Sequence, residues 1–147
     1  MTARIVSDGP QSHWLKVHVK GNTTAVANSL GSILNPEGVA LHINEGYLKI
    51  IAPPAGAADL DIGIGVKDAD STDLASDLQI DGYAADAVYY IVSNNSASQD
   101  AAITPQGLLW PATSYLNFYN HVAVASTAFE AYLYLRYIRI GDDATRA

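Results

Sequence analysis

The amino-acid sequence predicts an all-β protein, an antiparallel β-sandwich of jelly-roll-like form with little helix. Three observations carry that reading. Apolar and polar residues alternate along most of the chain, as they do in half-buried strands. The alternating runs number six or seven and are separated by turn-rich segments, the spacing of a sandwich or jelly roll. No segment sustains a helical period over the ~10–12 residues of an average helix. A chain of 147 residues, 49% of them hydrophobic, suits one domain over 1–147 with a buried core, residues 1–13 and 141–147 serving as extended arms.

The first strand is read over Trp14–Lys20, where Leu15, Val17 and Val19 share one face and Lys16, His18 and Lys20 the other. Thr23–Leu30 fits either two helical turns ended by Gly31 or an irregular edge strand. Val39, Leu41 and Ile43 mark a second alternating run. Gly46 interrupts it, and Tyr47–Ile51 continues until Pro53-Pro54, since proline cannot donate to a ladder. Along Asp59–Val66 the apolar residues Leu60, Ile62, Ile64 and Val66 point inward. Asp59, Asp61, Gly63 and Gly65 then point outward, the glycines marking a bulge or a close backbone approach. Asp70–Ile80 holds one helix-like turn with a Ser or Asp cap.

Ala87–Val92 is rich in strand formers and stops at a Ser/Asn turn cluster. Tyr115–Val124 alternates again, with Leu116, Phe118, Val122 and Val124 on one side. The last run, Phe129–Ile140, is bulky on both faces: Ala131, Leu133, Leu135 and Tyr137 on one, Tyr132, Tyr134, Arg136 and Ile138 on the other. Such a strand should be covered twice, by the core on one side and by a partner or a loop on the other.

Charge is unevenly placed. The chain carries 8 Lys+Arg and 15 Asp+Glu, a formal net charge of -7. Eight of those acids (Asp59, Asp61, Asp68, Asp70, Asp73, Asp77, Asp81, Asp86) lie in residues 57–86 with one base, Lys67. That segment therefore sums to -7, and the remaining seven acids and seven bases cancel. An acidic domain repels phosphate, which argues against sequence-independent nucleic-acid binding. No stretch approaches the ~18–20 apolar residues of a membrane helix, and the first residues lack the apolar core of a secretory signal. The absence of Cys excludes disulfides and thiolate metal sites.

Few motifs suggest chemistry. Asp68, Asp70 and Asp73 have the spacing of calcium ligands. The EF-hand template fails, with Thr72 at its fifth position, Asp73 in place of glycine, and Gln79 in place of the final Glu. These three are the metal candidates, set against a solvated acidic loop, and the failed template favours the loop. Asp59 and Asp61 could act as a carboxylate pair, or simply discourage edge pairing on a strand surface. His13, His18, His42 and His121 show no i, i+2 or i, i+4 ligand spacing. Gly63-Ile-Gly65 lacks the third glycine and the helix of a dinucleotide loop, and there is no Gly-x-Ser-x-Gly elbow. Asn22-Thr-Thr24 and Asn94-Asn-Ser96 match a glycosylation pattern that carries no weight without a secretory signal. Tyr115, Tyr119, Tyr132 and Tyr134 lie opposite the most aliphatic strand faces, where they could stack on sugars, form a protein interface or edge the core.

The order of three phrases, Leu60-Asp-Ile-Gly-Ile-Gly-Val66, Leu78-Gln-Ile-Asp-Gly82 and Tyr132-Leu-Tyr-Leu-Arg-Tyr-Ile-Arg139, resembles small β-sandwich head decoration or cement proteins of tailed bacteriophages. The resemblance spans about residues 40–140 and carries no catalytic signature or assignable site residue. It implies a non-enzymatic virion protein without cofactor, made in the host cytoplasm. Such a protein would bind the major capsid protein on the capsid surface as a homo-oligomer, a trimer by lattice symmetry, and would touch neither nucleic acid nor membrane. The attaching arm is expected in Arg4–Lys20 or Gly141–Ala147, and the acidic 57–86 unit away from the partner or around a cation. The alternative is a carbohydrate- or receptor-binding sandwich of a tail or fibre, using the tyrosine face.

Overall fold

The computed structural model describes residues 12–22, 27–91, 108–121 and 126–140. Among the described residues nine strands follow one another: β1 (Ser12–Lys20), β2 (Asn28–Leu34), β3 (Leu41–Ala52), β4 (Asp59–Gly65), β5 (Ala75–Gln79), β6 (Val88–Tyr90), β7 (Leu108–Trp110), β8 (Tyr115–Asn120) and β9 (Glu130–Arg139). A single 3-10 turn, Ile80–Gly82, is the only helical element among the described residues. No helix there is long and apolar enough to cross a membrane.

The strands form two antiparallel sheets, ordered β1-β9-β3-β6 and β2-β8-β4-β5, with β7 also pairing β3. Within this order β1 pairs β9, β2 pairs β8, β3 pairs β6 and β7, and β4 pairs β5. The chain is thus one long antiparallel ribbon rolled into two layers. That is the jelly roll, a double-sheet arrangement. Between the layers lies one apolar cluster, to which β1 gives Val17 and Val19, β3 Leu41, Ile43, Leu48 and Ile50, and β9 Leu133 and Leu135. The other sheet answers with Leu60, Ile62, Leu78, Leu116 and Phe118. Trp110 is fully buried, and its indole N–H donates to the Ser114 carbonyl at 3.0 Å, so a large apolar surface is removed from water with its one donor satisfied.

Bulges explain where sequence periodicity and structure part. The run expected to break at Gly46 is one twelve-residue strand, β3. Its register against β9 slips between Ile43 and Glu45, so inward positions change parity from 41 and 43 to 48 and 50 without a break. The helix-like turn expected in Asp70–Ile80 is replaced by β5 and the 3-10 turn after it. There Leu60 pairs Leu78 while Ile62 pairs Ala75, leaving one extra residue in β5, and Asp77 takes the left-handed conformation (φ 51°). Ala75 and Leu78, three apart, therefore both point inward and imitate a helical spacing.

Residues 28–30, within the segment given two readings, belong to an edge strand, β2, with its own slip at Leu30. Ser12 and His13, placed in the N-terminal arm by sequence, are part of β1, and so is the stretch to Lys20 of the expected attaching arm. Residues 1–11 and 141–147, the rest of both arms, lie outside the described residues, as do Val92, Asn94–Ser96 and 122–125.

Candidate functional site

The two outer faces of the sandwich have opposite chemistry. On the β1-β9-β3-β6 sheet, strand register aligns side chains in rows. Lys16 sits beside Tyr134, Tyr134 beside Tyr47, and Tyr47 beside Tyr90. The next row runs His18, Tyr132, Lys49, Val88, and on the other side stand Trp14, Arg136 and Glu45. Rings meet across the strands: Trp14 stacks near Tyr47 at 6.2 Å, His18 on Tyr132 at 4.9 Å, and Tyr90 meets Tyr47 edge-on at 5.2 Å. The Lys16 ammonium lies 4.1 Å above the Tyr132 ring, a cation–π contact.

Two carboxylates, Glu45 and Glu130, are tied to this aromatic surface. Arg136 pairs with Glu45 at 2.9 Å, the Tyr47 hydroxyl donates to Glu45, and His18 contacts Glu130 at 2.7 Å. The Glu45 carboxylate raises the Tyr47 phenol above its ordinary value, with burial adding to the effect. Trp14 and Val88 nevertheless remain 54% and 57% exposed. The four tyrosines singled out by sequence are divided by the fold. Tyr132 and Tyr134 belong to this face, whereas Tyr115 and Tyr119 lie on β8 of the other sheet.

The outer face of β4 is covered by its own chain. Residues 66–74 fold back across it so closely that a Cβ on Gly63 would stand 2.5 Å from the Ser71 carbonyl carbon, and one on Gly65 2.7 Å from the Ser71 hydroxyl. The alternating glycines thus mark a close backbone approach, one of the two readings their spacing offers. Hydrogen bonds fix this loop. The Asp68 N–H donates to the Ser32 hydroxyl (2.9 Å) and the Asn117 side-chain Oδ1 (3.1 Å), and Ser29 donates to the Asp68 carboxylate (2.9 Å). Asp73 accepts from the Ile64 N–H at 2.9 Å. The Ser32 and Ser29 hydroxyls hold the Asp68 carboxyl below its usual range.

Asp68, Asp70 and Asp73, the sequence's metal candidates, therefore take three separate places. Asp68 and Asp73 anchor the loop, and only Asp70 turns toward a cluster. At that cluster Asp61 Oδ2 lies 2.9 Å and Asp70 Oδ2 3.5 Å from His121 Nδ1, while Asp77 Oδ1 lies 3.2 Å from Nε2. Asp61, expected on an open strand surface, is fully buried, because β4 lies between β8 and β5 and under the loop. Edge protection is thus not its role. The β5 bulge directs the Asp77 N–H at Asp61 Oδ1, at 2.6 Å, a bulge re-aiming a residue beside a site. His121 follows β8 directly, and its N–H donates to the Asp59 carbonyl at 3.0 Å.

Electrostatics follow from this crowding. Burial pushes the Asp61 carboxyl up to about 6, aided by the neighbouring Asp70 carboxyl and opposed by the Asp77 N–H. Burial would pull the His121 imidazole down, but Asp61, Asp77 and Asp70 outweigh it and raise it above the ordinary histidine value. Asp59 is also raised, by burial and then by Asp77 and Asp81. Both imidazole nitrogens face carboxylates, so neither is presented to a substrate as a general acid or base would be. Sequence spacing could not assemble Asp61, Asp77 and His121, since strand pairing alone brings them together. The available signal was the outward parity of Asp61 beside two glycines.

Comparison with protein-family models, with curated proteins and with solved structures finds no match for this chain.

Proposed function

We propose that this protein is a non-enzymatic structural component of a virion. It would be a capsid decoration protein that works as a homotrimer on the surface of the major capsid protein. The observation that carries this reading is the outer face of the β1-β9-β3-β6 sheet. Trp14, Tyr47, Tyr90, Tyr132 and Tyr134 form a continuous aromatic surface set among Lys16, Lys49 and Arg136. Contiguous exposed aromatic residues mark interaction surfaces, and Tyr, Trp and Arg are the residues enriched where proteins meet. In the trimer this face is buried between copies, and the acidic face of the other sheet stays outward, where its charge keeps particles apart. The resemblance of residues 40–140 to phage decoration proteins supplies the capsid context.

The test is the mass of the purified full chain by light scattering, with its co-sedimentation on shells of the cognate major capsid protein. A trimer that co-sediments supports the proposal, and a monomer that leaves the shells bare overturns it. The same surface favours one second reading. The exposed indole of Trp14 lies nearly parallel to Tyr47, with 21° between the ring planes, a platform on which a sugar ring could stack. Binding on a glycan array that disappears in Trp14→Ala would establish that reading in place of the first.

A further inference from the structure

We propose that Asp61, Asp77 and His121 form a binding site for a divalent transition-series cation, Zn²⁺ before Mn²⁺, with the Asp70 carboxylate beside it. Among the described residues this is the one group of three ligand-type side chains whose donor atoms lie within 4.8 Å of one another. Ligand atoms about 2.1 Å from a tetrahedral Zn²⁺ stand about 3.4 Å apart. Asp61 Oδ2 stands 2.9 Å from His121 Nδ1, within about half an ångström of that spacing, while Asp77 Oδ1 stands 3.2 Å from the other ring nitrogen, so the exposed Asp77 side chain must turn to share an ion held at Nδ1.

A second observation points to a ligand. The Asp61 side chain is fully buried, and its Oδ2 makes no hydrogen bond. Yet that oxygen is 2.9 Å from His121 Nδ1, so the approach lies off the line that a shared proton requires. A buried carboxylate oxygen left without a donor is costly. A simple imidazolium–carboxylate pair would have closed that bond, whereas a metal ion takes both atoms as donors without needing them aligned to each other.

The donor set names the ion class. One imidazole with two or three carboxylates suits Zn²⁺ or Mn²⁺. Ca²⁺ takes six to eight oxygens, and Mg²⁺ also prefers oxygen, so neither gains from a nitrogen ligand. The supporting contacts are of the kind that orient ligands. Asp61 Oδ1 is held by the Asp77 N–H, and the loop bearing Asp70 is pinned through Asp68 and Asp73. The site also joins β4, β5, the residue after β8 and the 66–74 loop, so a bound ion would fasten the acidic unit together.

The experiment is calorimetric titration of the chelator-stripped full chain with ZnCl₂, MnCl₂, CaCl₂ and MgCl₂, paired with thermal melts. The expected result is one Zn²⁺ per chain, and at hundredfold excess over Kd a rise in Tm of roughly 5–10 °C. His121→Gln and Asp77→Asn, both at partly exposed side chains, should each weaken Zn²⁺ binding tenfold or more. His18→Gln, at the histidine beside Glu130 and Tyr132 on the opposite sheet, should leave it unchanged. A measurement without substitution guards against misfolded variants: on adding Zn²⁺ to wild type, the His121 ring NMR signals should shift while those of His13, His18 and His42 stay. No saturable binding would overturn the proposal. So would binding indifferent to His121→Gln and Asp77→Asn, movement of the other histidines instead, or Ca²⁺ binding as tightly as Zn²⁺.

Discussion

The two outer faces of this sandwich are built from the same pleated backbone but solve the problem of a second surface in opposite ways. The β1-β9-β3-β6 face leaves large rings open, with Trp14 and Tyr90 54% and 39% exposed, and places cations between them. The β2-β8-β4-β5 face draws its own loop over β4 and gathers carboxylates around His121. The first arrangement leaves its rings to solvent, and the second is covered by the chain itself. The formal -7 of residues 57–86 is therefore the charge of one self-covered unit. The opposite face has Lys16, Lys49 and Arg136 in its aromatic rows.

The largest effect expected from breaking this contrast is on association. Trp14→Ala combined with Tyr134→Ala should weaken assembly about a hundredfold, measured by sedimentation, since aromatic anchors dominate interfaces. The same pair should change the free energy of unfolding by no more than about 1.5 kcal/mol, because the rings lie outside the core. A loss of stability without a loss of association would mean that the face serves the fold instead.

Next is the covering of β4. Gly63→Ala drives a methyl group into the Ser71 backbone and should destabilise by about 1–3 kcal/mol in urea unfolding. An unchanged midpoint would show that the loop does not rest on β4. A smaller effect separates backbone from charge at the bulge. Asp77→Gly should be more stable than Asp77→Ala by about 1 kcal/mol, because φ is 51° there and only glycine adopts it without strain.

The smallest effect is alkaline. Tyr83, past the 3-10 turn, stacks on Tyr89 with its hydroxyl buried and unpartnered, and burial pushes it up to about 12. The folded state then keeps a proton that the unfolded chain releases near pH 10. Stability is intact below that pH and falls as pH rises from 10 toward 12. Tyr137, also pushed up to about 12 by burial and by Glu37, acts in the same direction. Tyr83→Phe should flatten part of this fall and cost nothing at pH 7, as followed by denaturant midpoints against pH.

How far the sequence was legible depended on whether a strand kept its period. β1, β4 and β9 alternate without interruption and were readable nearly to their ends, although Val66, read as an inward residue, follows β4 and is 76% exposed. The Asn44 region of β3 and the Asp77 bulge of β5 each add one residue, which turned a continuous strand into two runs and a strand into a helix-like turn. β7 has three residues, too few for any period. The aromatic face was visible in the second face of Phe129–Ile140, although its completion by Trp14 and Tyr47 required the register of three strands. The cluster was hidden because Asp61, Asp77 and His121 meet only through the β4–β5 and β4–β8 pairings. Local spacing drew attention instead to Asp68 and Asp73, whose carboxylates hold a loop.

The claim that one face meets partners while the other faces outward is tested most directly by hydroxyl-radical footprinting of the free chain and of assembled particles. The account predicts that Trp14, Tyr47 and Tyr134 lose reactivity on assembly while His121, 44% exposed at its side chain, keeps its own. Protection of His121 with Trp14 still reactive would contradict it.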